Sequence, residues 1–270
     1  MIDLTGKKAM VCGSTQGIGK ASAMQLAKQG ASVTLVARDE NALKKTLAEL
    51  PSNANQKSAW MNGSDGHDYL CADFNKPEDL KKIVEAYLAK GNTFHILVNN
   101  TGGPPGGEII NAKAEDFTIT FQRHLICNHT LTQLLVPGMK HYKYGRIINI
   151  ISTSVKEPIR GLGVSNTIRA AVANWSKTMS IELGPFGITV NNVLPGSTET
   201  ARIEDIINNT AKKTGKSAEQ VRADMIAKVP VGRFASADEI AYAVTFLASP
   251  EASYINGINV PVDGGRTGCL

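Results

Sequence analysis

The string "CGSTQGIG" sets Gly13, Gly17 and Gly19 between a short apolar run and a helix-like pattern. Glycines so placed permit a tight turn, let backbone approach a pyrophosphate closely, and leave a helix N-terminus open to its negative charge. Far downstream, Ser152, Ser165 and Arg169 offer a second chemistry. Each can donate a hydrogen bond to an oxygen on which negative charge develops. Neither Ser165 nor Arg169 is a ready acid–base catalyst. A serine hydroxyl is a weak acid that needs a separate base, and a guanidinium stays protonated. No Tyr-x-x-x-Lys occurs anywhere in the chain.

The elements that must carry these groups follow from periodicity. Short runs rich in Val, Ile and Leu ("KAMVCG", "ASVTLVAR", "DYLCADF", "HILVNNTGG", "GRIINIIS", "GITVNNVLPG", "GINVPVDGG") alternate with helical patterns. The helices are expected over residues 21–28, 40–50 and 77–88, in a stretch ending near Met139, and after Val164. This predicts an α/β, Rossmann-like doubly wound parallel sheet in a single domain, with its ligand beyond the carboxyl ends of the strands. Two segments depart from that plan. Residues 51–68 are polar and rich in Gly, Asn and Ser, and read as an inserted surface loop. Residues 197–229 carry helical patterns with Lys212, Lys213, Lys216, Arg222 and Lys228. They read either as a lid over the site or as a solvated helical hairpin.

Composition bounds the class. The 270 residues suit one α/β unit, and 42% hydrophobic with 20% charged residues is an ordinary globular balance. The net charge of +5 is spread over interspersed acids and bases, which argues against nucleic acid and allows a mildly anionic small ligand. Cys12, Cys71, Cys127 and Cys269 lack metal-like spacing, so reduced thiols and no bound metal are expected. No stretch approaches membrane-spanning length and the first residues lack an apolar signal core, which predicts a cytoplasmic protein that leaves membranes alone.

Four ordered landmarks resemble the short-chain dehydrogenase/reductase superfamily, in its 3-oxoacyl-carrier-protein-reductase-like branch. They are the G-x-x-x-G-x-G turn, "NNTGG" (Asn99–Gly103), "LPGSTET" (Leu194–Thr200) and "VDGG" (Val262–Gly265). The resemblance spans essentially the whole chain. It implies phosphate and adenosine contacts from Gly13, Ser14, Gln16, Gly17, Ile18 and Gly19. It also implies an adenine contact from Asp73 beside Phe74, adenine-ribose flanks at Asn100 and Gly102, and nicotinamide contacts at Pro195, Gly196 and Thr198. Each has a plainer reading: Asp73 as a cap for the helix near Pro77, Pro195 as a turn. Relatives that use NAD carry an acid at the end of the second strand. Here that position holds Ala37 followed by Arg38, whose guanidinium suits a 2′-phosphate, so NADP(H) is expected ahead of NAD, with Asp39 the competing acid. Arg38 as a plain surface residue is the alternative.

The same resemblance assigns a serine to the substrate carbonyl, a tyrosine to the proton, a lysine to the ribose and an asparagine to a relayed water. Serine and tyrosine lie thirteen positions apart in many relatives, as do Ser152 and Ser165. Ser152 then keeps its place, Ser165 stands for the tyrosine, Arg169 for the lysine and His124 for the asparagine. Arg169 retains the ribose-binding half of the lysine's work. His124, expected to titrate near physiological pH, and Lys156 are candidate proton donors, against readings as a packed helix residue and a solvated lysine. The expected activity is NADP(H)-dependent reduction of a ketone or 3-oxoacyl-type carbonyl, or oxidation of the alcohol. A dinucleotide-binding sensor or scaffold that has lost turnover is the alternative. Homo-oligomerisation to a dimer or tetramer is implied by the resemblance alone.

Overall fold

The structure is a computed structural model that describes residues 2–51 and 66–269. Seven parallel strands run β1 (Lys8–Cys12), β2 (Ser32–Ala37), β3 (Asp68–Cys71), β4 (Ile96–Asn99), β5 (Gly145–Ile150), β6 (Ile188–Pro195) and β7 (Asn259–Val262). Their order across the sheet is β3-β2-β1-β4-β5-β6-β7. The chain winds outward from β1 on one side and from β4 on the other. Between those two strands the connections diverge and open a crevice at their carboxyl ends. The expected doubly wound sheet is therefore present.

Strand sequences explain the two covered faces. Ala9 and Val11 of β1 point into one buried cluster, and Met10 and Cys12 into the other. The first cluster is completed by Ala23 and Leu26 of α1 (Gly17–Lys28), Leu43 of α2 (Glu40–Glu49), and Ile240 and Val244 of α9 (Ala237–Ala248). The second takes Leu80 and Val84 of α3 (Pro77–Leu88) and Leu131 and Leu135 of α5 (Cys127–His141). Burial on both faces is what favours near-continuous apolar strands over alternating ones. Pro261, unable to donate to a ladder, sits in the outermost strand β7.

Polar side chains also cross the sheet. Asn99 Nδ2 donates to Asn149 Oδ1 (2.8 Å), Asn149 Nδ2 to Asn192 Oδ1 (3.0 Å), and Asn192 Nδ2 to Asn259 Oδ1 (2.8 Å). This chain ties β4, β5, β6 and β7 together inside the core. The segment read as an insertion falls outside the described residues over 52–65. At its edges, His67 Nδ1 accepts from Val33 N (3.0 Å), which leaves Nε2–H to donate to the Pro51 carbonyl (2.9 Å). Residues after β6 form α7 (Ala201–Thr214) and α8 (Ala218–Ile226), with a small core of their own from Ile203, Ile207, Val221 and Phe234. Among the described residues no helix is long and apolar enough to cross a membrane.

Candidate active site

Beyond β1 the chain must turn at once. Gly13 and Gly17 adopt φ +59° and +52°, a region costly for any residue with a Cβ. Gly19 has no room for a side chain either, because a Cβ there would collide with the Gly13 carbonyl oxygen. Asn100 Nδ2 clamps the turn from the end of β4, donating to the carbonyls of Cys12 (3.2 Å) and Gly13 (3.3 Å). Ser14 is fully buried and its hydroxyl donates to the Val36 carbonyl (3.4 Å). The result is a cleft of about 500 Å³ whose wall includes Gly13, Gln16, Gly17 and Ile18. That size suits a substantial small molecule.

At the end of β2, Arg38 is exposed and lines the cleft. Asp39 is committed elsewhere: its carboxylate accepts from Ala42 N (3.0 Å) and caps α2. Asp73 and Phe74 line the same end. Asp73 does not cap α3, whose first turn follows Lys76 without a side-chain cap. Its Oδ1 instead accepts from Asn75 N and Nδ2, both at 2.9 Å. Asn75 Oδ1 in turn accepts from Arg123 Nε (2.5 Å), which stiffens this wall.

At the far end, α6 (Gly163–Leu183) presents Ser165 and Arg169 one turn apart. Arg169 Nε donates to Ser165 Oγ (3.1 Å), and its Nη1 donates to the carbonyls of Ile150 (3.1 Å) and Ile151 (2.7 Å). The guanidinium thus bridges the helix and the end of β5. With one lone pair of Ser165 filled by Arg169, its O–H is free to donate into the cleft. Ser152 lines the cleft too, and its Oγ accepts from Ser154 N (3.1 Å). Burial and the neighbouring Arg202 push Arg169 down to about 10, which leaves it charged at neutral pH.

His124 departs from expectation. It lies in a five-residue π-helical segment, Gln122–Ile126, between α4 (Ala114–Phe121) and α5. Burial, with the field of Arg169 next, pulls its pKa down to about 3, against the opposing hydrogen bond to the Gly102 backbone. It therefore titrates well below physiological pH, not near it. The hydrogen bond to the Gly102 backbone favours the protonated ring but is outweighed, so the ring is neutral, and its Nε2 is buried with no hydrogen-bond partner among the described residues.

Pro195, Gly196 and Thr198 line the cleft after β6. The chain end braces them: Gly196 N donates to the Val262 carbonyl (2.9 Å), and Asp263 accepts from Gly265 N (3.0 Å) and Thr267 N (2.8 Å). Of the residues singled out from the sequence, Gly13, Gln16, Gly17, Ile18, Arg38, Asp73, Phe74, Asn100, Gly102, Ser152, Ser165, Arg169, Pro195, Gly196 and Thr198 share this one cleft. Ser14, Gly19 and His124 stand behind its wall, and Lys156 is not part of it. The basic residues Lys212, Lys213, Lys216, Arg222 and Lys228 do not line it either. Arg222 pairs with Glu199 (2.9 Å) and Glu204, and Lys216 with Asp224 (2.6 Å), all on the surface. Sequence reasoning missed Arg202 and Arg123, which do line the cleft. Arg202 Nη2 donates to the Pro104 carbonyl (2.6 Å), a contact that only the fold creates.

Known proteins resemble this chain along nearly its whole length. The family described as enoyl-(acyl carrier protein) reductase matches residues 13–267. The chain is 30% identical over 262 residues to the NADPH-dependent reductase BacG of Bacillus subtilis (strain 168), covering 97% of this chain and 98% of the relative. It is 32% identical over 264 residues to 3-oxoacyl-(acyl-carrier-protein) reductase FabG of Escherichia coli (strain K12), covering 98% of each. Among solved structures, it superposes on YwfH, an NADPH-dependent reductase involved in bacilysin biosynthesis, with a TM-score of 0.88, 30% identity and coverage of 98% and 99%. L-sorbose reductase from Gluconobacter frateurii, complexed with NADPH and L-sorbose, gives a TM-score of 0.89 at 29% identity over 100% and 99% of the two chains.

Proposed function

The chain belongs to the short-chain dehydrogenase/reductase superfamily, and from that premise we propose that it is an NADP(H)-dependent carbonyl reductase working without the tyrosine–lysine pair. The cleft fits the dinucleotide: Gly13 and Gly19 have no space for a Cβ, and the only acid beside Arg38 in sequence, Asp39, caps a helix. Arg38 would hold the 2′-phosphate, a role supported by the NADPH dependence of BacG and by the NADPH bound to L-sorbose reductase. Bound there, the dinucleotide supplies the hydride.

The chain's own residues do the rest. Ser152 and Ser165 donate hydroxyl hydrogens to the substrate oxygen. Arg169, charged and fixed to Ser165 Oγ and to two carbonyls, stabilises the negative charge that grows on that oxygen. Arg169 does not give up a proton at neutral pH. The proton comes from water, and the unpartnered Nε2 of His124, behind the cleft wall, would help to hold the relaying molecule. The observation that carries this reading is the bridge from Arg169 to Ser165 and to the end of β5 at the cleft floor.

The test is NADPH consumption against a panel of carbonyl compounds, in wild type and Arg169→Ala. Turnover that falls about a hundredfold or more in the variant supports the reading, and equal rates remove it. NADPH binding in a thermal-shift assay without turnover of any carbonyl supports the sensor or scaffold instead, which the missing Tyr-x-x-x-Lys favours.

A further inference from the structure

We infer that Arg202 and Arg169 together form a carboxylate subsite, so that the substrate is a short oxo acid. This inference rests on the reductase reading above. Gly103 follows the "NNTG" turn, and a Cβ placed on it would meet Arg202 Nη2 at 3.4 Å and Arg169 Nη2 at 3.5 Å. Two guanidinium ends, one from α6 and one from the first turn of α7, therefore converge over the same bare stretch of backbone at the serine end of the cleft.

Their hydrogen bonds show which atoms are committed. Arg169 spends Nε and Nη1 on Ser165 and on β5, so Nη2 is the edge it turns toward Gly103. Arg202 spends one bond, from Nη2 to the Pro104 carbonyl. Among the described residues no carboxylate lies within ion-pair distance of either group. Asp205, further along α7, acts on Arg202 from a distance. Asp73, the acid that lines the cleft, belongs to its opposite end and is hydrogen-bonded to Asn75. Two like charges brought together in a half-buried cleft repel, and Arg202 helps to lower the Arg169 pKa. An anion between them turns that repulsion into attraction, and the planar fork of arginine matches a carboxylate well.

The serines fix where the carboxylate lies relative to the reacting carbonyl. Ser165 Oγ is bonded to the same guanidinium that faces Gly103, so the two functional groups of the substrate are close neighbours. A long acyl chain reaching the serines from outside would leave the arginines unused. The glycine turn at the start of α1 offers a pyrophosphate a helix N-terminus of its own.

The experiment compares oxo acids with their methyl esters and amides as substrates of the full-length, NADPH-loaded protein, in wild type, Arg202→Gln and Arg202→Lys. Wild type is expected to prefer the acid by about ten- to a hundredfold in kcat/KM, mainly through KM. Arg202→Gln should erase that preference with little change for the ester, and Arg202→Lys should restore part of it. Equal use of acid and ester by wild type overturns the inference. So does an equal loss on both in Arg202→Gln, which would mark Arg202 as a tie to Pro104 only, or a loss of NADPH affinity, which would mark a cofactor contact. Should no carbonyl be turned over, the reductase reading fails, and equilibrium binding to the NADPH complex decides the subsite. An oxo acid that binds wild type but not Arg202→Gln supports it, and one that binds neither overturns it.

Discussion

Arg169 offers five N–H donors in a rigid plane, and it uses that shape where an ammonium could not. It reaches Ser165 Oγ and two successive main-chain carbonyls at once, and still turns Nη2 toward the cleft. Arg169→Lys is accordingly expected to lose most activity although charge is kept, with kcat falling at least tenfold in steady-state assays. Group titration sets the pH profile. With His124 neutral above about 3 and Arg169 protonated below about 10, kcat/KM should be flat between about pH 5 and 9 and show no limb near 6.5. Stability behaves differently. The folded pKa of His124 lies below the unfolded value of 6.5, so its contribution is complete above 6.5 and is lost as pH falls towards 3. His95, lowered to about 4 by burial, adds to the same window. Chemical unfolding between pH 7 and 4 should show the loss, and His124→Asn should flatten the curve. The glycine turn was legible in the sequence because a positive φ and a blocked Cβ leave a residue-type signature. The titration of His124 was not, since it depends on burial and on Arg169, forty-five positions away in sequence.

Elements position these groups in ways that periodicity only partly reveals. The apolar runs located the strands, and the helix expected over 77–88 is α3 as found, Pro77–Leu88. The π-helical segment at Gln122–Ile126 left no recognisable pattern, yet it sets His124 behind the cleft wall. Among the basic residues after β6, the charges of Arg222 and Lys216 are answered by Glu199, Glu204 and Asp224 on the surface, while Arg202 reaches inward. The asparagine chain through β4–β7 was equally silent. Asn149 gives and takes three side-chain hydrogen bonds at its centre, to Asn99, Ser176 and Asn192. Asn149→Leu would strand those buried partners, and thermal denaturation should show a loss of about 2–4 kcal/mol.

At the scale of the molecule, the sheet order places the cleft at one edge, beyond the carboxyl ends of β1 to β6, and the segment after β7 locks the last of them. Cofactor choice is a property of that edge, with Arg38 exposed at the end of β2 and the neighbouring Asp39 committed to capping α2. Arg38→Ala should raise the NADP(H) dissociation constant about ten- to a hundredfold and leave NAD(H) nearly unchanged, as read by fluorescence titration. The central claim is that two serines and a charged guanidinium suffice for reduction in this fold. Its most direct measurement is transfer of deuterium from NADPH labelled at the nicotinamide C4 to the carbinol carbon of the product, followed by mass spectrometry across a carbonyl panel. Label in the alcohol with wild type, reduced at least a hundredfold with Arg169→Ala while NADPH still binds, is the expected result. Label that accumulates at the same rate in the variant, or none in wild type with any carbonyl compound, would contradict it.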